Sequence, residues 1–435
     1  MSPRRLGGRW TLDDRLARQV HAVPVELPPG TPAFTVELAY DQSAGVLDLG
    51  CEGPAGFRGW SGGARSRYTI APGWATPGYL PGEPEPGVWR VLLGLYRVPL
   101  EGLAYELTVT PHRRPPAPPG DGAAASPPPP PVVPASVRRG VPALDGMRWR
   151  AGELHAHTVH SDGALTVTEL ALLARAEGLD FLAVTDHNTV SHHAELPAVS
   201  AAAGITLVPG QEVTTDLGHA NAFGPIGWVD FREPAGAWAR VVRERGGLLS
   251  VNHPLGADCA WRHPPGERPR TVEVWHSGWW DRTWGAPLSW AQAWRDDPVY
   301  VGGGDYHGPG GGHPPGAPAT WVLTAEDPGQ AWGRGAGASA PDGAGTSAPD
   351  GAGSGPSPEA VVAGIRAGRT AVSAGPYGPL LLRHGEEFLA LDADGLVLWG
   401  PDERRVIRGD RVTLPARPGP HRLETTRNEV MALCT

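Results

Sequence analysis

The chain has 435 residues, 40% of them hydrophobic, with 37 basic against 46 acidic residues, a net charge of -9 and a pI near 6.0. That length predicts two or three domains, and the composition excludes a disordered protein. The acidic balance excludes a general nucleic-acid sheath or an anionic-membrane binder, and no stable binding of duplex nucleic acid is expected, although a local basic groove stays open.

Residues 1–112 read as a small all-β sandwich domain. Short alternating stretches such as Phe34–Leu38 and Trp89–Tyr96 are separated by Gly and Pro turns. Two early arginines without an apolar core behind them make no signal peptide, and no apolar run is long enough to span a bilayer. Cys51, Cys259 and Cys434 are scattered and form no disulfide framework, so a soluble cytoplasmic protein is expected. Residues 113–146 form a Pro-rich linker, a semi-rigid spacer.

From 147 to 374 strands and helices alternate. A helix begins near Leu165, with a capping box at Thr166 and Glu169 and an end at Gly178. Strands are predicted at Phe181–Thr185, Ile205–Val208, His219–Phe223, Leu248–Val251, Thr271–Trp275, Val299–Gly302 and Thr320–Leu323. Helices are predicted near Ser191–Ala203 and at Ala235–Arg245. This alternation predicts an α/β domain with a parallel sheet, open or closed into a barrel. Residues 331–358, which hold "SAPDGAG" twice, read as a disordered low-complexity insertion, and 375–435 as a short β-rich C-terminal segment.

The polar residues fall in a pattern. Twelve of the 16 histidines lie between His155 and His313, where a proportional share is roughly six. His155 and His157 close the first strand, Asp186 and His187 follow the second, and Glu212 follows the third. His219 opens the fourth, His253 follows the fifth, and Asp305 and His307 follow Val299–Gly302. Parallel α/β folds place their active sites at such strand ends. The two-residue spacing of His155 and His157 turns both imidazoles to one face of a strand. "HSDG" adds Asp162 on a turn. Mixed imidazole and carboxylate without cysteine excludes a zinc finger and suits Mn, Zn or Fe. Nine candidates are too many for one ion, so two or three divalent metal ions are expected, a hydrolytic device. His160, His192, His193, His263 and His313 read as solvated residues. Six tryptophans between Trp275 and Trp294, with His276, Arg282 and Arg295, read as packing or as an aromatic wall.

"HAHTVHSDG", "TDHN", "GQE", "HANAFG", "NHP" and "GGGDYH", in that order between about Arg148 and Ala374, resemble the PHP (polymerase and histidinol phosphatase) superfamily. "SGGARSRYTI" and "ATPGYLPGEPEPGVW" resemble its carbaryl hydrolase-like branch. The resemblance implies a distorted (β/α)7 barrel and a trinuclear centre. It implies His155, His157, Glu212 and Asp305 on one metal, Asp162, His187 and His307 on a second, and Glu212, His219 and His253 on a third. Many members carry histidine where this chain has Asp162. The catalytic candidates are Glu212 as bridge and Asp162 or His307 as proton donor. The implied activity is phosphoester hydrolysis, on a small phosphoester, a nucleotide or short oligonucleotide 5′ ends. A carbamate or carboxylic ester hydrolase and a non-catalytic scaffold are the alternatives. No feature of the sequence sets the oligomeric state or chooses the metal.

Overall fold

The computed structural model describes residues 2–119, 132–264, 266–277, 285–325 and 355–434. The centre of the linker, nearly all of the low-complexity insertion, and Trp279, Trp280, Arg282 and Trp284 lie outside the described residues.

Before the linker come β1 (Arg4–Trp10), helix α1 (Leu12–Ala17), β2 (Val20–Leu27), β3 (Ala33–Tyr40), β4 (Val46–Gly53), β5 (Gly56–Gly62), β6 (Arg67–Ile70), β7 (Gly87–Arg97) and β8 (Leu103–His112). They form two antiparallel four-stranded sheets, ordered β1-β8-β3-β6 and β2-β7-β4-β5. Alternate side chains of both sheets, among them Phe34, Val36, Leu49, Trp89 and Val91, meet in one buried cluster.

From residue 132 onward run α2 (Ala135–Arg138), which falls within the stretch 113–146 expected to be a spacer, β9 (Met147–Glu153), α3 (Val167–Ala176), β10 (Phe181–Val184), α4 (Leu196–Ala203), β11 (Thr206–Thr215) and β12 (Gly218–Phe223). Then come α5 (Ala235–Glu244), β13 (Leu248–Val251), β14 (Thr271–His276), α6 (Ala286–Trp294), β15 (Val299–Gly303), β16 (Ala319–Ala325), α7 (Pro358–Arg366) and β17 (Thr370–Ser373). The capping box at Thr166 and Glu169 is formed, and Gly178 ends that helix at φ +84°. Helix α4 starts at Leu196, later than its sequence suggests, because Thr189–Glu195 is held in turns by side-chain bonds.

The sheet is mixed rather than parallel. β9-β10-β11 and β13-β14-β15 are two parallel runs, and β12 lies antiparallel between them. Only Asp216 and Leu217 connect β11 to β12, too few residues for a crossover, so the pair must form a hairpin. β16 and β17 are also antiparallel neighbours. The sheet curls until its edge strand β15 reaches β16: Gly302 N–H donates to Thr320 Oγ1 at 2.8 Å, and that hydroxyl donates back to the Gly302 carbonyl at 2.7 Å.

The chain ends in β18 (Leu380–His384), β19 (Glu387–Leu391), β20 (Val397–Trp399), β21 (Arg404–Val406), β22 (Arg411–Pro415), β23 (His421–Glu424) and β24 (Val430–Cys434). β24, β23, β20 and β21 continue the large sheet beyond β17, while β18, β19 and β22 form a small sheet of their own. Leu381, Phe388 and Leu423 from this region share a buried cluster with Leu170, Leu182 and Trp321. Among the described residues no helix is long and apolar enough to cross a membrane.

Candidate metal centre

The first and last strands of the two parallel runs meet at the site. Beyond β9, His157 N–H donates to the Tyr306 carbonyl at 2.9 Å, and Tyr306 N–H donates to the His155 carbonyl at 3.1 Å. This parallel bridge sets Ala156 beside Tyr306. The flanking residues, His155 and His157 on one segment and Asp305 and His307 on the other, therefore turn to one face. Glu212 lies within β11 rather than after its strand, because the β12 hairpin extends the pairing to Thr215. The hairpin also sets His219 opposite Thr214.

The structure brings all nine sequence-derived candidates into one network. His155 Nε2 is 3.2 Å from both Glu212 Oε1 and Asp305 Oδ1, and His157 Nε2 is 2.9 Å from Asp305 Oδ1. Glu212 also meets His187 Nδ1 at 2.8 Å, His219 Nδ1 at 3.2 Å and His253 Nε2 at 3.3 Å. Asp162 Oδ1 stands 3.6 Å from His187 Nε2 and 3.3 Å from His307 Nε2. Four groups have donor atoms close enough to share an ion: His157, Asp162, His187 and His307; His155, His157 and Glu212; His187, Glu212 and His219; and His155, His253 and His276.

His276 and Glu273 had no assigned place in this centre, and a backbone irregularity explains why. Strict alternation along β14 points residues 273 and 276 to opposite faces. A bulge between Glu273 and Trp275 shifts the parity. Both then reach the centre: Glu273 Oε1 lies 3.1 Å from His155 Nδ1, and His276 Nε2 lies 3.2 Å from Asp305 Oδ2. Other buried acids hold the scaffold. Asp186 accepts from Thr158 N–H, Thr158 Oγ1 and Ser161 Oγ at 2.6–2.9 Å, fixing the loop that carries Asp162. Glu153 accepts the backbone N–H groups of His155, Gly304 and Gly316 at 2.8–2.9 Å. His192 is buried, not solvated, with Nδ1 at 3.1 Å from Asp186 and Nε2 at 3.2 Å from the Val184 carbonyl. Trp275 is buried, and Trp290 and Trp294 stack at 5.0 Å, in an apolar cluster with Val272, Tyr300 and Leu433.

The electrostatics fit cations. Burial alone raises the Glu212 carboxyl, but His155, His219 and His187 outweigh it and hold the group well below the usual carboxylate range. Burial, with His187 and His307 alongside, pushes His157 down to about 4, the neutral form that binds metals. Burial works to lower His187, yet Asp162 and Glu212 raise it to about 9. The buried His155 Nε2 and His157 Nδ1 make no hydrogen bond with the described residues. Glu273 takes the Nδ1 side of His155 and the Asp305 carbonyl, 2.8 Å away, takes that of His307. Each pairing leaves an Nε2 lone pair directed at neighbouring carboxylates, as ligating histidines require. Among the described residues no arginine pairs with Asp162, Glu212 or Asp305. Several divalent ions fit this donor set.

Parts of the chain are similar to known proteins. A 3′,5′-nucleoside bisphosphate phosphatase of Chromobacterium violaceum is 38% identical over 107 residues, 24% of this chain and 36% of the relative. A 5′-3′ exoribonuclease of Haemophilus influenzae is 39% identical over 64 residues, 15% of this chain and 23% of the relative. The chain thus spans well under half the length of these curated relatives. A two-domain protein of Bacteroides vulgatus, described as containing a predicted PHP-like metal-dependent phosphoesterase, aligns at 17% identity and a TM-score of 0.35, over 68% of this chain and 89% of that one. Residues 153–253, which hold every candidate donor from His155 to His253, match the PHP domain.

Proposed function

We propose that the chain is a metal-dependent phosphoesterase acting on nucleotides, other small phosphoesters or the 5′ ends of short oligonucleotides. One observation carries this reading: nine imidazole and carboxylate donors form a single network of contacts, and Glu212 touches four of its imidazoles at 2.8–3.3 Å. The names of the two relatives support a phosphoester substrate.

In this reading His155, His157, Glu212 and Asp305 hold one ion, Asp162, His187 and His307 a second, and Glu212, His219 and His253 a third. Mn, Zn and Fe all suit the mixed donors. When bound, such ions ionise water near neutral pH and offset phosphoryl charge. The side chains of Asp162 and His307 are 46% and 37% exposed, so either of them, once released in part from its ion and protonated from the solvent side, can pass a proton to a leaving oxygen. We also read residues 1–112 as a β-sandwich domain, 113–146 as its linker, 147–374 as a distorted seven-unit barrel and 375–435 as an appended segment. A cytoplasmic setting fits three free cysteines.

A substrate panel tests the assignment. Protein loaded with Mn, Zn or Fe would be offered p-nitrophenyl phosphate, bis-p-nitrophenyl phosphate, a nucleoside 3′,5′-bisphosphate and 1-naphthyl carbamate. Turnover of phosphoesters is expected. Turnover of the carbamate alone would move the protein to ester hydrolysis, and silence with metal bound would make it a binding protein.

A further inference from the structure

The N-terminal sheets are fixed against the metal centre. Phe57 stacks on Trp228 at 3.8 Å between centroids, and Trp60 meets Phe231 at 4.7 Å. Trp60 and Leu92 share a buried cluster with Val213, Ala220 and Trp238. Arg65 donates to the carbonyls of Val159 and Ser161, in the loop that carries Asp162. Gly78 N–H donates to Ser191 Oγ at 3.0 Å, and Thr189 Oγ1 donates to the Gly78 carbonyl at 2.8 Å.

This docking creates a cleft of about 950 Å³ lined both by Asp162, His187 and His219 and by Asp48, Tyr96 and Arg97. Asp48 lies on β4 opposite Gly94 of β7. A Cβ at Gly94 would stand 2.6 Å from Asp48 Oδ2, so the glycine makes room for this carboxylate. The Asp48 side chain is only partly exposed and makes no hydrogen bond or ion pair with the described residues. A partly buried carboxylate without a donor is an acceptor awaiting one. In its ionised form it disfavours a second phosphate at that point and favours a neutral or cationic group bearing O–H or N–H.

We propose that Asp48 is a specificity residue that accepts hydrogen bonds from hydroxyl or amino groups on the part of the substrate projecting away from the metals. The inference rests on the reading that the donor network holds the scissile phosphoester. The N-terminal sheet then builds half of the substrate site, and the two parts of the chain read the two ends of one molecule.

The test is binding to the full chain loaded with Mn, by calorimetry. The probes are AMP, its 2′,3′-dideoxy analogue and purine riboside 5′-monophosphate, which lacks the amino group. Wild-type protein should bind AMP about tenfold more tightly than one analogue, since a charge-assisted hydrogen bond is lost. The analogue that weakens identifies hydroxyl or amine as the donor. D48N should lose the discrimination. Equal binding of all three probes by wild type overturns the proposal without any variant, and so does discrimination that survives in D48N. Binding is read as an affinity over a time in which a phosphate assay detects no product. Failure to hydrolyse any phosphoester therefore removes the phosphoesterase reading alone, while equal binding of the three probes by wild type, or discrimination kept by D48N, removes the role of Asp48 alone.

Discussion

Glu273 serves His155 and His253 at once: Oε1 lies 3.1 Å from His155 Nδ1, and Oε2 accepts the backbone N–H of His253 at 2.8 Å. His253 has φ +23° and Asp305 φ +51°, so two of the nine donors sit in backbone conformations that need support from neighbours. E273Q keeps the shape and removes the charge that orients the His155 ring. Metal affinity, measured by chelator competition, should fall by about 10–100-fold. Unchanged affinity would show that the ring is held by packing alone.

Glu212 is surrounded by His155, His187, His219 and His253 and also accepts from Asn252 Nδ2 at 2.8 Å. E212A should leave the purified protein nearly free of metal by atomic emission and inactive on every substrate it otherwise turns over. A metal-replete, active E212A would exclude this residue as a shared carboxylate.

The glycines of "GGGDYH" give way to packed side chains. A Cβ at Gly303 would stand 2.2 Å from Glu273 Oε1 and 2.5 Å from His155 Cβ, whereas one at Gly310 meets nothing within 4 Å among the described residues. G303A should cost about 1–3 kcal/mol in urea unfolding. G310A should stay within about 0.5 kcal/mol of wild type. Equal stability of the two variants would contradict this crowding.

Asp48 carries a pH signature in the metal-free protein. Burial raises its carboxyl to about 7 from 3.8, against a downward pull from His187. The folded value lies above the unfolded one, so the contribution is complete below about pH 3.8, declines as pH rises and is gone above about 7. D48N removes that decline. Urea midpoints of variant and wild type should diverge in favour of the variant between about pH 4 and 7 and run parallel above. Divergence in favour of wild type would refute the buried carboxyl.

The legible part of this protein was local. The capping box of α3, the strand cores and the His155/His157 and Asp305/His307 pairs could be read because a few neighbouring residues set backbone geometry and side-chain direction. The same reading missed the antiparallel β12 and the late start of α4, where hairpin pairing and side-chain bonds outweigh periodicity. It also left Glu273 and His276 out of the centre, because a bulge in β14 reverses the alternation on which such a reading depends. The chain by itself determined which donor types stand at which strand ends. Only the tertiary structure decided that they converge on Glu212 and that Asp48 joins them across a shared cleft. Those contacts join residues tens to hundreds of positions apart, and their distances depend on sheet order, register and domain docking rather than on any short-range pattern.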